Sequence, residues 1–413
     1  MRNARLCMQL LPNMAQPSAS RMCDAFVLER NANVSLTLIA AHQRPTRELV
    51  IVYALDDVRA GVPLHIEESE SFGSGWLTGP VAAPHVRCNG KRVQSRLVGC
   101  RSMCRVESMP ANACEQLTLE LPALQLRAHS KLCAWGVVAS RRPAAMACSY
   151  VFVPPATENR TLQAVVQWAS LMSPQVSQLH LHVLNRGEAV RRAVRTAVPQ
   201  LLERHKLVLH VWNWVEAFQT KGGRGISSSA HEDHWSGTST ANGLNPYHAR
   251  DWALTKGVVE LRDQTDWLMI MDVDESFGSA SHNITMQGFF EKLHPQMRQY
   301  GFCEVGRVSG CRPGDGSCEV TGGGRSKSAV RLSSGCAWWP SPHYSIPLNH
   351  TGDAADCELT SATGKRFGAK AVKSRLDYFR TGLGCHPRPP QYIVHDPLRY
   401  SVLDASGSTT GSD

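Results

Sequence analysis

The stretch that most constrains this chain is residues 267–275, in which an apolar run leads straight into three acids. The run WLMIM is typical of a strand buried on both faces of a parallel sheet. Asp272, Asp274 and Glu275 follow at the carboxyl end of that strand, the edge where ligands bind in open α/β sheets. Because a strand turns residues i and i+2 to the same face, we expect Asp272 and Asp274 to point the same way.

Neighbouring carboxylates repel one another unless a cation lies between them. We therefore predict a site for Mn²⁺ or Mg²⁺, ions that accept oxygen ligands and can in turn bind phosphate. The alternative interpretation is a solvated turn after a core strand.

The segment before the acids alternates between strand and helix patterns. Apolar strands are predicted at residues 151–153, 179–183 and 207–211, with helical faces between them and a break at Pro199. This βαβαβ order predicts a parallel sheet with right-handed crossovers. Asn245 and Pro246 then predict the start of a helix that leads to the acidic stretch.

The chain divides into four predicted parts. Residues 1–46 are predicted to be irregular, and residues 47–149 to form a small β-rich module, as the alternation in residues 117–121 indicates. Residues 150–400 are predicted to form one α/β domain. Within it, residues 301–365, with Gly322 to Gly324, are predicted to be mostly loop. Residues 401–413 are predicted to be a disordered tail.

The fourteen cysteines flank a cysteine-free block between residues 149 and 302. Even-numbered clusters on either side favour disulfides within each flank. Zinc bound by Cys100 and Cys104 is the alternative. Sequons at Asn33, Asn159, Asn283 and Asn349 agree with the secretory lumen. Neither a signal peptide nor a membrane span is visible in the sequence.

The formal charge of +9 is spread along the chain without runs of like charge. Such a balance favours an anionic, phosphate-bearing ligand. Because no basic stretch is interleaved with aromatic residues, we expect no nucleic-acid partner.

Around the acids the chain resembles glycosyltransferase family 92 and related nucleotide-sugar glycosyltransferases of the GT-A fold. The matching residues are Asn245-Pro246-Tyr247, the predicted helix over residues 251–262, residues 265–275, Lys373 and His386-Pro387. The resemblance spans about residues 150–400, and it is specific only near the acids. A departure is Ser276, which stands between Glu275 and Phe277 where the family has an aromatic residue directly.

The resemblance implies an α/β, Rossmann-like GT-A fold, with a mostly parallel sheet and helices on both faces, preceded by the β-rich disulfide-containing module. It implies a metal-dependent hexosyltransferase that moves a sugar from a UDP-sugar, UDP-galactose being one such donor, to a glycan or polysaccharide. It further implies a place in the Golgi lumen and a membrane anchor, although no anchor is visible in the sequence.

The resemblance also assigns roles to residues. Asp274 and His386 would bind Mn²⁺, Asp272 would contact the metal or the ribose, and Glu275 would belong to the same donor site. Lys370 or Lys373 could add positive charge near the phosphates. An inverting transfer also needs a general base, for which the candidates are Asp353, Asp356 and Glu358. Sugar rings could stack on Trp338, Trp339 or Tyr344.

Two other functions stay open. In a phosphatase of the haloacid dehalogenase type, Asp272 would be the nucleophile and Asp274 the acid, and Gly352 to Asp356 resembles a later acidic motif of that class. In a non-catalytic, carbohydrate-binding relative, the fold would persist without turnover.

Overall fold

The computed structural model describes residues 19–57, 84–100, 103–135, 142–154, 157–212, 246–279, 284–293, 299–307, 320–334, 338–339, 346–347, 359–360, 366–367 and 391–395. Among these residues, no helix combines the length and the apolar character needed to cross a membrane.

The N-terminal part is an antiparallel sheet of ten strands in the order β6-β5-β9-β10-β1-β3-β4-β8-β7, with β2 paired to β3. Its two ends, β6 and β7, are separated in sequence by Gln94 alone, so the sheet curls back on itself as a nearly closed barrel. A short 3-10 helix, Pro122–Leu124, joins β9 to β10. The strands are β1 (Ala19–Met22), β2 (Val27–Arg30), β3 (Val34–Gln43), β4 (Leu49–Asp57), β5 (His85–Cys88), β6 (Lys91–Val93), β7 (Ser95–Cys100), β8 (Cys104–Ser108), β9 (Gln116–Leu121) and β10 (Leu126–Trp135).

Disulfides fasten this barrel. Cys23 is bonded to Cys133 and Cys88 to Cys114, and Cys104 is also disulfide-bonded. The prediction of disulfides in the N-terminal flank is therefore confirmed. Because a disulfide sulfur is no longer a thiolate, the alternative of zinc at Cys104 is excluded.

Strand β4 explains how the barrel joins the rest of the molecule. Ile51 and Tyr53 point into the barrel core, whereas Val50 and Val52 pack with Trp252 of the second part. A strand that alternates between two cores is apolar throughout, which is the reason for the unbroken apolar run at its start.

The second part is a mixed sheet of eight strands in the order β13-β12-β11-β14-β17-β16-β22-β15. Two short ribbons pair β18 with β19 and β20 with β21. Its elements are β11 (Ala145–Val151), α1 (Glu158–Met172), β12 (Leu179–Val183), α2 (Gly187–Ala197), α3 (Pro199–Glu203), β13 (Leu207–Val211), α4 (Pro246–Glu260), β14 (Trp267–Ile270), β15 (Glu275–Ser279), α5 (Met286–Phe290), β16 (Gln299–Arg307), β17 (Val320–Arg331), a 3-10 helix (Leu332–Ser334), β18 (Trp338–Trp339), β19 (Ile346–Pro347), β20 (Leu359–Thr360), β21 (Arg366–Phe367) and β22 (Gln391–His395).

The two faces of the second sheet are covered by different helices. Ala147, Leu181 and Met269 pack against the apolar sides of α1 and α2. The alternate residues Cys148 and Ile270 pack against α4, which also contacts the barrel. The predicted break at Pro199 is confirmed, because Pro199 is the first residue of α3.

The prediction of a mostly parallel, Rossmann-like GT-A sheet is wrong. Parallel pairing in the described part of the chain is limited to β11 with β12, β12 with β13, β11 with β14, and β16 with β22. The other described pairings are antiparallel, including all of those in the barrel. The predicted βαβ order holds for β11, β12, β13 and β14, which pair in parallel. It ends there, because β17 pairs antiparallel with β14 and with β16.

Two local predictions also differ from the structure. Residues 1–46 were predicted to be irregular, yet β1, β2 and β3 lie there. Residues 301–365 were predicted to be mostly loop, yet β17 runs through Gly322 to Gly324 and pairs with β16. Glycines weaken the strand signal in the sequence, but pairing with β16 stabilises the extended backbone there. The predicted domain boundaries stay predictions.

Candidate functional site: an acidic cluster with a buried lysine

The acidic cluster lies directly after β14. Met271 and Val273 are buried in the core, whereas Asp272 and Asp274 are partly exposed and Glu275 is 1% exposed. Carboxylate oxygens of the three acids lie within 4.8 Å of one another. The alternation of core and acidic residues thus continues past the end of the strand and brings the three carboxylates together.

A tight turn fixes Glu275 relative to Asp272. The backbone N–H of Asp272 donates a hydrogen bond to Oε2 of Glu275 at 2.8 Å. The backbone N–H of Glu275 donates to the carbonyl oxygen of Asp272 at 3.2 Å. Glu275 therefore closes the turn that holds Asp272, while its side chain stays out of solvent.

Lys327 is the cation that meets this cluster. Its Nζ lies 2.6 Å from Oδ2 of Asp272 and 2.6 Å from Oε1 of Glu275, and its side chain is 1% exposed. Strand β17 runs antiparallel to β14, with Ala329 opposite Met269, so the residues before Ala329 pass the carboxyl end of β14. Lys327 was not predicted as a site residue, because its glycine-rich segment was predicted to be loop.

The electrostatics of the cluster follow from burial and from this lysine. Burial on its own would raise the pKa of Asp272, but the charge and hydrogen bond of Lys327, followed by the charge of Arg250, outweigh it, and the pKa is lowered. Burial, together with the charge of Asp272, raises the pKa of Glu275 well above its usual value. The pKa of Lys327 is raised by Glu275 and Asp272 despite its burial. Asp272 therefore keeps its negative charge, and Lys327 stays protonated.

Two further residues of the cluster were not predicted. Tyr150 is the last residue but one of β11, and burial followed by the charge of Asp272 raises its pKa well above the usual value. Arg250 lies in the first turns of α4, where its Nε donates to Oδ1 of Asp251 at 3.0 Å. A signal for Tyr150 was available, since it stands at the carboxyl end of a strand that pairs in parallel with β14.

The donor set fits a divalent cation. Oδ2 of Asp272 contacts Lys327, but Oδ1 of Asp272 is buried and has no hydrogen-bond partner among the described residues. A buried carboxylate oxygen without a partner is costly, and a cation would relieve that cost. Asp272 and Asp274 could together supply two carboxylate oxygens to Mg²⁺ or Mn²⁺, with water or phosphate as the remaining ligands.

The other predicted site residues lie outside the described part of the chain: Asp353, Asp356, Glu358, Lys370, Lys373, His386 and Tyr344. Trp338 and Trp339 form β18 and pair with β19. Strand β22 pairs with β15 in a register that places His395 opposite Glu275. A downstream histidine is therefore at a register position beside the acids, and its role was not predicted.

Comparison with known proteins identifies no family. No protein-family model matches the sequence, and no curated protein matches it. Among solved structures, 4-diphosphocytidyl-2C-methyl-D-erythritol synthase from Anaerococcus prevotii aligns with a TM-score of 0.21 and 8% identity, covering 46% of this chain and 70% of that one. A likeness of this size says nothing about the function of this chain.

Proposed function

We propose that this chain is a metal-dependent glycosyltransferase that takes a sugar from a UDP-sugar and transfers it to a glycan or polysaccharide. The observation that carries the proposal is Oδ1 of Asp272, which is buried and has no hydrogen-bond partner in the described part of the chain. It lies beside Asp274, at the carboxyl ends of the parallel strands β11 and β14. The resemblance to glycosyltransferase family 92 around residues 245–275 supports the class of donor.

A divalent ion held by Asp272 and Asp274 would stabilise the charge that builds on the diphosphate as the glycosidic bond breaks. The chain's own residues prepare that position. Lys327 donates to Oδ2 of Asp272, and Glu275 fixes the turn by accepting a hydrogen bond from the backbone N–H of Asp272. Within the proposal, His386 would complete the metal site, Lys370 or Lys373 would face the phosphates, and Asp353, Asp356 or Glu358 would take the acceptor's proton.

The disulfide-bonded barrel supports a proposed place in the lumen of the secretory pathway, since disulfides persist in oxidising compartments. A Golgi enzyme of this class would work there, on glycans that pass through the same lumen.

The decisive experiment is a thermal-shift measurement with UDP and UDP-sugars, with and without Mn²⁺, on the wild type and on Asp274→Asn. We expect UDP to raise the unfolding midpoint only when Mn²⁺ is present, and the shift to disappear in Asp274→Asn. Asp266→Asn is the matched control, because this acid precedes β14 and is outside the cluster. An equal shift in Asp274→Asn and the wild type would contradict the proposal.

A phosphatase is the second candidate, and one observation favours it. Lys327 keeps Asp272 ionised, which a carboxylate nucleophile requires. Hydrolysis of p-nitrophenyl phosphate with Mg²⁺, lost in Asp272→Asn, would support this candidate over a transferase. Binding of UDP and metal without transfer to any acceptor would instead indicate a non-catalytic relative.

A further inference from the structure

We propose that Lys327 takes the place of a second cation in the acidic cluster, so that the site binds one divalent ion, through Asp272 and Asp274. The inference rests on the proposed function for the remaining ion, but the role of Lys327 can be tested without catalysis.

The position of the ammonium group is the first argument. Nζ lies 2.6 Å from one oxygen of Asp272 and 2.6 Å from one oxygen of Glu275, within the range of charge-assisted hydrogen bonds. Glu275 and Lys327 are each 1% exposed. An ammonium group that bridges the buried Glu275 and the partly exposed Asp272 occupies the position that a bridging metal ion would otherwise need.

The oxygen atoms of Glu275 give the second argument. Oε1 contacts Lys327, and Oε2 accepts the backbone N–H of Asp272. Both oxygens are therefore engaged inside the protein. Glu275 supports Asp272 rather than binding an external ion.

The oxygen atoms of Asp272 give the third argument. Oδ2 contacts Lys327, while Oδ1 is buried without a hydrogen-bond partner in the described part of the chain. Asp274, which is partly exposed, has a carboxylate oxygen within 4.8 Å of those of Asp272 and Glu275. Asp272 can thus bridge Lys327 on one side and a single ion on the other.

Charge limits the site to that one ion. A second divalent cation between Asp272 and Glu275 would lie against the fixed ammonium group, and the two positive charges would repel each other at close range. Lys327 cannot swing into solvent to relieve this repulsion, because its side chain is buried.

The test counts Mn²⁺ ions per chain by electron paramagnetic resonance of the free ion, for the full-length wild type and for Lys327→Ala. We expect one ion in the wild type and one more in Lys327→Ala. We also expect Mn²⁺ to raise the unfolding midpoint of Lys327→Ala by more than that of the wild type. Lys206→Ala is the matched control, because that ammonium donates to the carbonyl oxygen of Ser177 far from any acid of the cluster, and it should behave as the wild type.

A second variant keeps the test decisive if Lys327→Ala does not fold. Lys327→Met keeps the buried stem of this side chain and removes only its charge, and we expect it to bind one Mn²⁺ more than the wild type. Two ions in the wild type, or an unchanged count in a folded Lys327→Ala or Lys327→Met, would overturn the inference.

The outcomes separate this inference from the proposed function. One ion in the wild type and two in Lys327→Ala, with no turnover of any UDP-sugar and no Mn²⁺-dependent response to UDP, would support the inference and contradict the transferase. A wild type with two ions that still turns over a UDP-sugar would support the transferase and overturn the inference.

Discussion

Nε2 of His42 lies 2.9 Å from Oδ2 of Asp263, although the two residues are 221 positions apart. His42 belongs to β3 of the barrel, and Asp263 lies between α4 and β14 in the second part. Arg44 and Arg142 also pair with this carboxylate, which is 2% exposed. Burial would raise the pKa of Asp263, but the hydrogen bonds from His42 and Arg44 lower it. This buried acid therefore fastens the barrel to the sheet that carries the acidic cluster.

Replacing Asp263 by Asn should destabilise the whole protein. The change removes the counter-charge of Arg44 and Arg142 and disrupts the hydrogen bond with the buried His42, which costs about 1–3 kcal/mol. Urea denaturation followed by fluorescence measures the loss. Glu48→Gln is the control, because Glu48 pairs with Arg44 at a side-chain exposure of 23% and should cost at most about 1 kcal/mol. Equal losses in the two variants would show that Asp263 has no special role.

The buried His180 and His182 and the half-buried His210 form a layer between the sheet, α4 and the barrel. Nδ1 of His180 lies 3.0 Å from Nε2 of His210, and the rings of His182 and His210 stack with centroids 4.5 Å apart. Nε1 of Trp212 donates to Nδ1 of His182 at 2.9 Å. Burial lowers the pKa of all three, that of His180 to about 3, and the charge of Arg21 lowers them further.

This layer predicts acid sensitivity. The three histidines are neutral in the native state, whereas in the unfolded chain they bind protons below about pH 6.5. Above that pH the histidines do not reduce the free energy of unfolding. On acidification below it, the free energy of unfolding falls by up to about 1.4 kcal/mol per pH unit for each histidine. Urea midpoints between pH 7 and pH 5 measure the slope.

Two variants check the source of this slope. His210→Gln should reduce it by roughly a third, because one of three proton-binding sites is removed from the unfolded state. His129→Gln should leave it unchanged, since His129 is exposed on β10 and bonds to Thr118. A wild-type stability that is flat over this range would contradict the prediction.

Gly257 of α4 lies against Cys148 of β11. A Cβ at position 257 would stand 2.6 Å from the Cys148 Sγ. Gly257→Ala should therefore destabilise the protein by about 1–3 kcal/mol through overpacking, although alanine is the better helix former. The cost should shrink when Cys148→Ala removes the sulfur, and a double-mutant cycle by chemical denaturation measures this coupling. Additivity within about 0.5 kcal/mol would exclude the contact as the cause.

The two described disulfide pairs should differ in what they contribute. Cys23 and Cys133 are 110 positions apart, and Cys88 and Cys114 are 26 apart. Loop closure in the unfolded chain predicts about 5 kcal/mol for the long loop and about 3.5 kcal/mol for the short one. Thermal unfolding of Cys23→Ser/Cys133→Ser and Cys88→Ser/Cys114→Ser compares them. A larger loss from the short loop would reverse the expected order.

Part of this architecture could be predicted locally. The predicted strand at residues 179–183 is β12 itself, and the run before the acids contains β14. The hydrophobic pattern predicted these strands because each one is followed or preceded by a helix with its own apolar period. Alternating strand and helix patterns in the local sequence indicate that the strands pair in parallel. The hydrophobic pattern did not predict β17, because its glycines give no strand signal and the strand is stabilised by pairing with β16.

The sequence by itself determined that three carboxylates would follow a buried strand and that Asp272 and Asp274 would share a side, because both facts depend on the two-residue period of one strand. Only the tertiary structure decided that Lys327, 55 positions away, would meet Asp272 and Glu275. That encounter depends on the antiparallel register of β17 against β14, and register is set by side-chain packing across the sheet rather than by any local pattern. The same packing turned Glu275 inward and left Oδ1 of Asp272 as the buried oxygen without a described partner.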